Sequence, residues 1–200
     1  MTDHIITISR EYGSGGRTVG ELVAQKLGIP FYDKKLVDTM AEQSGFSRQF
    51  IEEHGEYAPV KNSFLFSIAV SSRADVTGQA SPADRLYACQ ANFIREQVSK
   101  GPCVIVGRSA DYILRNTENV FHVFLHADMD FRVAYMREHY GKDDANLEKW
   151  LRERDARRKL HYRHYTGREW GDPHNYQMCL STSDFGLEKT ADLIVSMVKK

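Results

Sequence analysis

The sequence predicts an α/β fold, a parallel sheet of roughly five strands with helices on both faces. Three observations lead there. Short β-branched runs alternate with longer amphipathic segments from the first residues onward. A strand, a glycine-rich loop and a helix follow one another between residues 5 and 28. The chain has 200 residues, 42% of them hydrophobic, with ten Phe and ten Tyr, which is enough apolar surface for one compact core.

Taken in order, residues 5–8 form a compact apolar strand that runs into EYGSGGRTVG and then ELVAQKLG. Val19, Leu22, Val23 and Leu27 share one helical face, and Gly28 stands where a left-handed C-terminal residue belongs. PFY at 30–32 is a second strand and KKLVDTMAEQ after it a helix. CVIV at 103–106 and VFHVFL at 120–125 are apolar runs of the kind buried on both faces of a parallel sheet. MCLST at 178–182 is a fifth strand, and LEKTADLIVSMVKK closes the chain as a helix with Lys199 and Lys200 at its negative end. Two inserts lack strand patterning and are expected above the sheet within a single domain spanning 1–200. Residues 44–80 read as a helical acceptor-side insert, and residues 143–175 as a charged helix and loop that form a lid, with Leu151 and Leu160 as its apolar anchors.

Charge narrows the partners. Twenty-seven basic and 27 acidic residues cancel, so no long-range positive field holds a nucleic-acid polymer or an anionic membrane, and any anion site is local. No segment approaches the ~20 apolar residues of a membrane helix, and MTDHIITISR does not read as a signal peptide. Cys89, Cys103 and Cys179 are odd in number and without CxxC spacing, so a reduced, cytoplasmic setting is expected.

Residues 11–18, Glu-Tyr-Gly-Ser-Gly-Gly-Arg-Thr, stand in the register of G-x-x-x-x-G-K-[ST], with Glu for the first Gly and Arg for Lys. Glycines at 13, 15 and 16 let backbone N–H groups turn inward around phosphate oxygens, Ser14 lies among them, and the following helix offers its positive end. Arg17 supplies a fixed charge and a planar fork, and Thr18 a hydroxyl for Mg²⁺. The alternative is a bare glycine turn; Arg-Thr in register and the strand–loop–helix context favour the phosphate cradle. Glu11 opposes it, because a carboxylate ~4 Å from a phosphate charge costs about 4 kcal/mol at an effective dielectric of 20. Glu11 is therefore expected to point away, or to pair with Arg10 or Arg17.

ITISREYGSGGRTVGELVAQKLGIPFYDKKLV is similar to the start of the cytidylate kinase-like family, relatives of bacterial cytidylate kinase in which S-R-x-x-G-S-G-G-R replaces the usual P-loop. GRSADYIL at 107–114 resembles the kinase's G-R-D segment, and HYRHYTGREWGDPHNYQMCLSTSDFGLE its lid and last strand. The resemblance implies a P-loop NTPase fold of the nucleoside monophosphate kinase type, ATP and Mg²⁺ as cofactors, and transfer of the γ-phosphoryl group to a nucleotide phosphate.

Such a transfer between two polyanions needs positive charge on both sides of the moving group. Arg154, Arg157 and Arg158 lie near one another on the charged helix, either as a solvated face or as a lid; Arg154 and Arg158, with Arg17, are the catalytic candidates. Arg108 ends the CVIV strand, where it either meets the acceptor or pairs with Asp111; resemblance favours the acceptor. Ser109 replaces the kinase's Asp, which puts the choice of cytosine in question. Asp33 ends the second strand and matches the aspartate that opens the acceptor flap, though Lys34 and Lys35 follow it here instead of small residues. Arg132 matches an arginine after the fourth strand, which faces phosphates or lies on a surface helix. None of the eight histidines has metal-ligand spacing. Two other functions compete: a kinase of a small hydroxyl metabolite, with Asp33 as base, and a noncatalytic nucleotide sensor.

Overall fold

The computed structural model describes residues 3–33, 45–57, 81–142 and 144–199. The helix expected at 34–43, with Lys34 and Lys35, and most of the insert expected at 44–80 lie outside the described residues.

Strand β1 (Ile5–Arg10) feeds the glycine loop and helix α1 (Gly16–Leu27), and the two-residue β2 (Phe31–Tyr32) follows. Helix α2 (Arg48–His54) is the described part of the first insert. Then come α3 (Pro82–Ser99), β3 (Val104–Val106), the single turn α4 (Ala110–Ile113), β4 (Val120–His126) and α5 (Met129–Tyr140). Helix α6 (Leu147–Thr166) leads through a 3₁₀ turn at Pro173–Asn175 into β5 (Met178–Ser181), the single turn α7 (Thr182–Phe185) and α8 (Leu187–Val198). The five strands form one sheet in the order β2-β3-β1-β4-β5, parallel at every pairing. The α/β reading and its five strands therefore hold.

Burial explains the layers. Val19 and Val23 of α1 and Ile194 of α8 are fully buried against Ile6, Ile8 and Val104 on one face of the sheet. Leu86 and Ile94 of α3 join Ile51 of α2 against Ile5 and Ile105 on the other. A fully buried side chain of this size contributes about 1.5–3 kcal/mol, so the two layers fix the sheet between them. Gly28 adopts φ +67° and caps α1, with its N–H on the carbonyls of Ala24 and Gln25, as the sequence predicts.

Helix α6 departs from expectation. Leu151 is buried, but Leu160 is 41% exposed and anchors nothing. The inward stripe runs through Leu147, Leu151, Asp155, Arg158 and Tyr162, polar in part, so an apolar periodicity cannot find it. Tyr165 at its end stacks on Tyr87 of α3 with ring centroids 4.1 Å apart, which ties the helix to the second layer.

Candidate active site

The strand order reverses at β1, which lies between β3 and β4, and crevices at such switch points are where open α/β sheets bind ligands. The glycine loop leaves the carboxyl end of β1 there. Gly15, the N-cap of α1, has φ +71°, and the helix has no side-chain cap, so its first N–H groups face the loop's interior without a side-chain acceptor. A side chain at Gly15 would run into Leu187 and lie 3.4 Å from Tyr135. Gly13, Gly15, Gly16 and Arg17 line a cleft of about 180 Å³ together with Arg10, Asp33, Tyr57 and Arg158. Ser14 does not line it: its side chain is buried and donates to the Glu11 carbonyl at 3.0 Å.

The Glu11 carboxylate is held away from the centre of that loop. Its Oε2 accepts from the Ala127 N–H at 3.2 Å and lies 3.4 Å from Arg132 Nη1. Neither Arg10 nor Arg17 is its partner. Arg132 accordingly does not reach the cleft as the sequence suggested. It is 4% exposed, donates from Nε to the Tyr12 carbonyl at 2.7 Å, and pairs through Nη2 with Asp155 at 2.5 Å. Asp155 also accepts from the Tyr12 N–H at 2.8 Å, so the pair braces the loop from behind. Arg132 is charge-matched within the protein and belongs to the scaffold.

Arg17 and Asp33, read separately from the sequence, are brought together: Arg17 Nε donates to Asp33 Oδ2 at 2.7 Å, while Nη2 is 2.8 Å from Glu21. Both line the cleft. The Thr18 hydroxyl is hydrogen-bonded to the Tyr135 phenol at 2.7 Å. Among the described residues, no group of three His, Cys, Asp or Glu side chains could hold a metal ion by itself.

The densest charge is one the sequence did not reveal. Glu56, two residues beyond α2, meets Arg10 fork to fork: Oε1 accepts from Nη1 and Oε2 from Nη2 at 3.1 Å. Oε1 also accepts the Arg108 backbone N–H at 3.1 Å, and Oε2 accepts from Arg158 Nη2 at 3.2 Å. Burial by itself would raise the Glu56 carboxyl, but the charges of Arg10, Arg158 and Arg108 outweigh it and hold the group well below the usual carboxylate range. Burial likewise opposes the charge on Arg10, and Glu56 more than restores it. No motif marks Glu56: it is one of four acids in the insert, 46 residues from Arg10.

Of the three arginines expected in the lid, Arg158 is the one that is buried. Besides Glu56 it donates to the Arg10 carbonyl at 3.0 Å and to the Tyr57 hydroxyl at 2.9 Å, and its guanidinium lies 5.0 Å from the Tyr12 ring centroid. Arg154 lies over Trp150 and Tyr57, at the helix's outer edge, and Arg157 over Tyr57. Arg108 sits in a run of three residues with positive φ, Gly107 (+77°), Arg108 (+58°) and Ser109 (+52°). Burial pushes its guanidinium below the ordinary range against the pull of Glu56. Asp111, the other partner open to Arg108, instead accepts from Tyr162 at 2.5 Å and Ser9 at 3.2 Å.

A parallel sheet of this order with a glycine loop at its switch point and arginines gathered over the loop defines a kinase-like P-loop protein. The chain belongs to the cytidylate kinase-like family, whose family model matches residues 5–184. No curated protein sequence matches it. Among solved structures it is similar to an uncharacterized protein from Eubacterium ventriosum, with 25% identity, 98% of each chain covered and a TM-score of 0.72. It shares its fold with a shikimate kinase from Bacteroides thetaiotaomicron (16% identity, 97% of each chain, TM-score 0.55). A gluconokinase from Sinorhizobium meliloti is a third (17% identity, 98% of this chain and 90% of that one, TM-score 0.53). Family and fold together support a phosphotransferase. Among the described residues no helix is long and apolar enough to cross a membrane.

Proposed function

We propose that the protein transfers the γ-phosphoryl group of Mg-ATP to a nucleoside monophosphate of the cytidylate type, in the cytoplasm. The observation that carries the acceptor class is the convergence of Arg10, Arg158 and the Arg108 N–H on one carboxylate beside the loop. Donors in this number and geometry suit an anionic acceptor, and a phosphate monoester, with three oxygens and a second charge, matches them more fully than a single carboxylate does.

Magnesium bound to the nucleotide would neutralise charge on the β- and γ-phosphates. The chain supplies the rest. Gly13 to Thr18 cradle the phosphates with N–H groups, and Arg17 exchanges its exposed carboxylate partners for phosphate oxygens. Arg158 stands between loop and acceptor, where negative charge must pass, and Arg154 adds charge from the rim. Arg108 and Asp33 flank the acceptor at the ends of β3 and β2.

One observation favours a second reading. Asp33 lines the cleft at the end of β2 and could take a proton from a hydroxyl acceptor, in a fold shared with a shikimate kinase and a gluconokinase. Phosphorus NMR of Mg-ATP mixed with CMP and the protein tests the first reading. It predicts the paired β-phosphorus signals of ADP and CDP; ADP accompanied by inorganic phosphate alone contradicts it.

A further inference from the structure

The arginine cluster holds more positive charge than its carboxylate can neutralise. Three guanidinium groups, those of Arg10, Arg108 and Arg158, act on Glu56, whose two oxygens already take four N–H donors. One donor remains over. Arg158 Nε is buried and has no hydrogen-bond partner among the described residues, although its side chain is only 5% exposed. An orphaned buried donor forfeits its hydration without a replacement, the more so when charged, so a site that leaves one is incomplete as it stands.

The backbone on the opposite side is shaped for an anion too. Arg108 and Ser109 hold positive φ after Gly107, a conformation strained for non-glycine residues, and it aims the Arg108 N–H at Glu56. Gly107 is glycine for a second reason: a Cβ there would strike both the Glu56 carboxylate and the Arg10 guanidinium. The Gly107 N–H is taken by the Ile8 carbonyl at 3.0 Å, so the turn meets the anion through the Arg108 N–H. A carboxylate brings two oxygens to this donor set, whereas a phosphate monoester brings three and a second charge.

We infer that Arg10, Arg158 and the Gly107–Ser109 turn form a phosphate-monoester site, and that Glu56 is its internal occupant, displaced when the acceptor's phosphate binds. Glu56 lies on a bend just beyond α2, so the side chain can leave while Ile51 keeps the helix in the core. The occupant keeps a strongly basic pocket neutralised between turnovers and reduces the acceptor's apparent affinity by the fraction of time that the pocket is filled. The identity of the anion rests on the proposed acceptor; the competition does not.

The sign of a single substitution separates an occupant from a strut. Isothermal titration of inorganic phosphate into wild type and Glu56→Gln is expected to show at least about tenfold tighter binding in the variant, as for an occupant present nine times in ten. Phosphate held by the glycine loop is common to both proteins, and adding Arg158→Ala to the variant should abolish the gain. Equal or weaker binding in a folded Glu56→Gln protein overturns the inference, as does a gain that survives Arg158→Ala. Wild-type hydrogen exchange supplies the arm that needs no variant: saturating phosphate should speed exchange at residues 55–57, and unchanged or greater protection there overturns it. A phosphate gain in a protein that phosphorylates no monophosphate would sustain the occupant and reject the monophosphate-acceptor reading.

Discussion

Arg17 and Asp33 face each other across the mouth of the cleft, with Nε donating to Oδ2 at 2.7 Å. Arg17 is 44% exposed, so this pair and its neighbour with Glu21 contribute little to folding, within the ~0–1 kcal/mol of surface ion pairs. The prediction is therefore asymmetric. Arg17→Ala should leave the urea midpoint of the free protein almost unchanged. It should also remove most of the stabilisation by Mg-ATP, which for wild type is about 2.7 kcal/mol at a hundredfold excess over Kd. A wild-type-sized thermal shift in the variant would detach Arg17 from the nucleotide.

Asp33 separates the two acceptor classes. A phosphate oxygen is already deprotonated and needs no base, so Asp33→Asn should raise the acceptor KM while kcat falls by less than about tenfold. Loss of a general base for a hydroxyl acceptor would instead lower kcat by roughly 10²–10⁴. Steady-state kinetics with the preferred acceptor decides.

Arg132 and Asp155 form a buried pair that also holds the Tyr12 N–H and carbonyl. Removing one partner leaves the other charged and buried, so Arg132→Ala should cost about 3–5 kcal/mol in urea unfolding. Replacing both, as Arg132→Met with Asp155→Leu, should cost much less than the sum of the two single changes.

Acid should weaken the fold as pH falls below about 6.5. Burial pushes the imidazoles of His122 and His161 down to about 4 from an ordinary 6.5. In the unfolded chain both protonate near 6.5, so stability is fully present above that pH and falls as pH drops toward 4. Each contributes a slope of up to about 1.4 kcal/mol per pH unit. Denaturant unfolding at pH 7.5 and pH 5 should show the decline, and His122→Asn should reduce it.

Ser109 stands where the cytidylate kinases carry an aspartate, and its hydroxyl can donate or accept. CMP and UMP should therefore be phosphorylated with kcat/KM values within a hundredfold of each other. A wider gap would assign base selection to another residue.

What was legible in the sequence follows from range. The glycine loop, α1 and its Gly28 cap depend on neighbours in the chain, and all were readable. Helix α3 is absent from the expected elements although it carries its own signals, Ser81 as N-cap before Pro82 and Leu86, Gln90 and Ile94 at helical spacing. The pairing of Glu11 with Arg132 and of Glu56 with Arg10 and Arg158 depends on which strand ends the sheet brings together. Nothing local records that. Arg132 fits neither sequence alternative, phosphate-facing or surface, because an arginine looks the same in sequence whether its partner is a ligand, water or Asp155.

The central claim is that a monophosphate receives the phosphoryl group, and ADP release tests it most directly. ADP formation from Mg-ATP should be measured alone, with CMP, UMP, AMP and GMP in turn, and with shikimate and gluconate as hydroxyl acceptors. The account predicts stimulation far above the basal rate by a pyrimidine monophosphate, and none by the hydroxyl acids. Stimulation by a hydroxyl acid with no response to any monophosphate would contradict it.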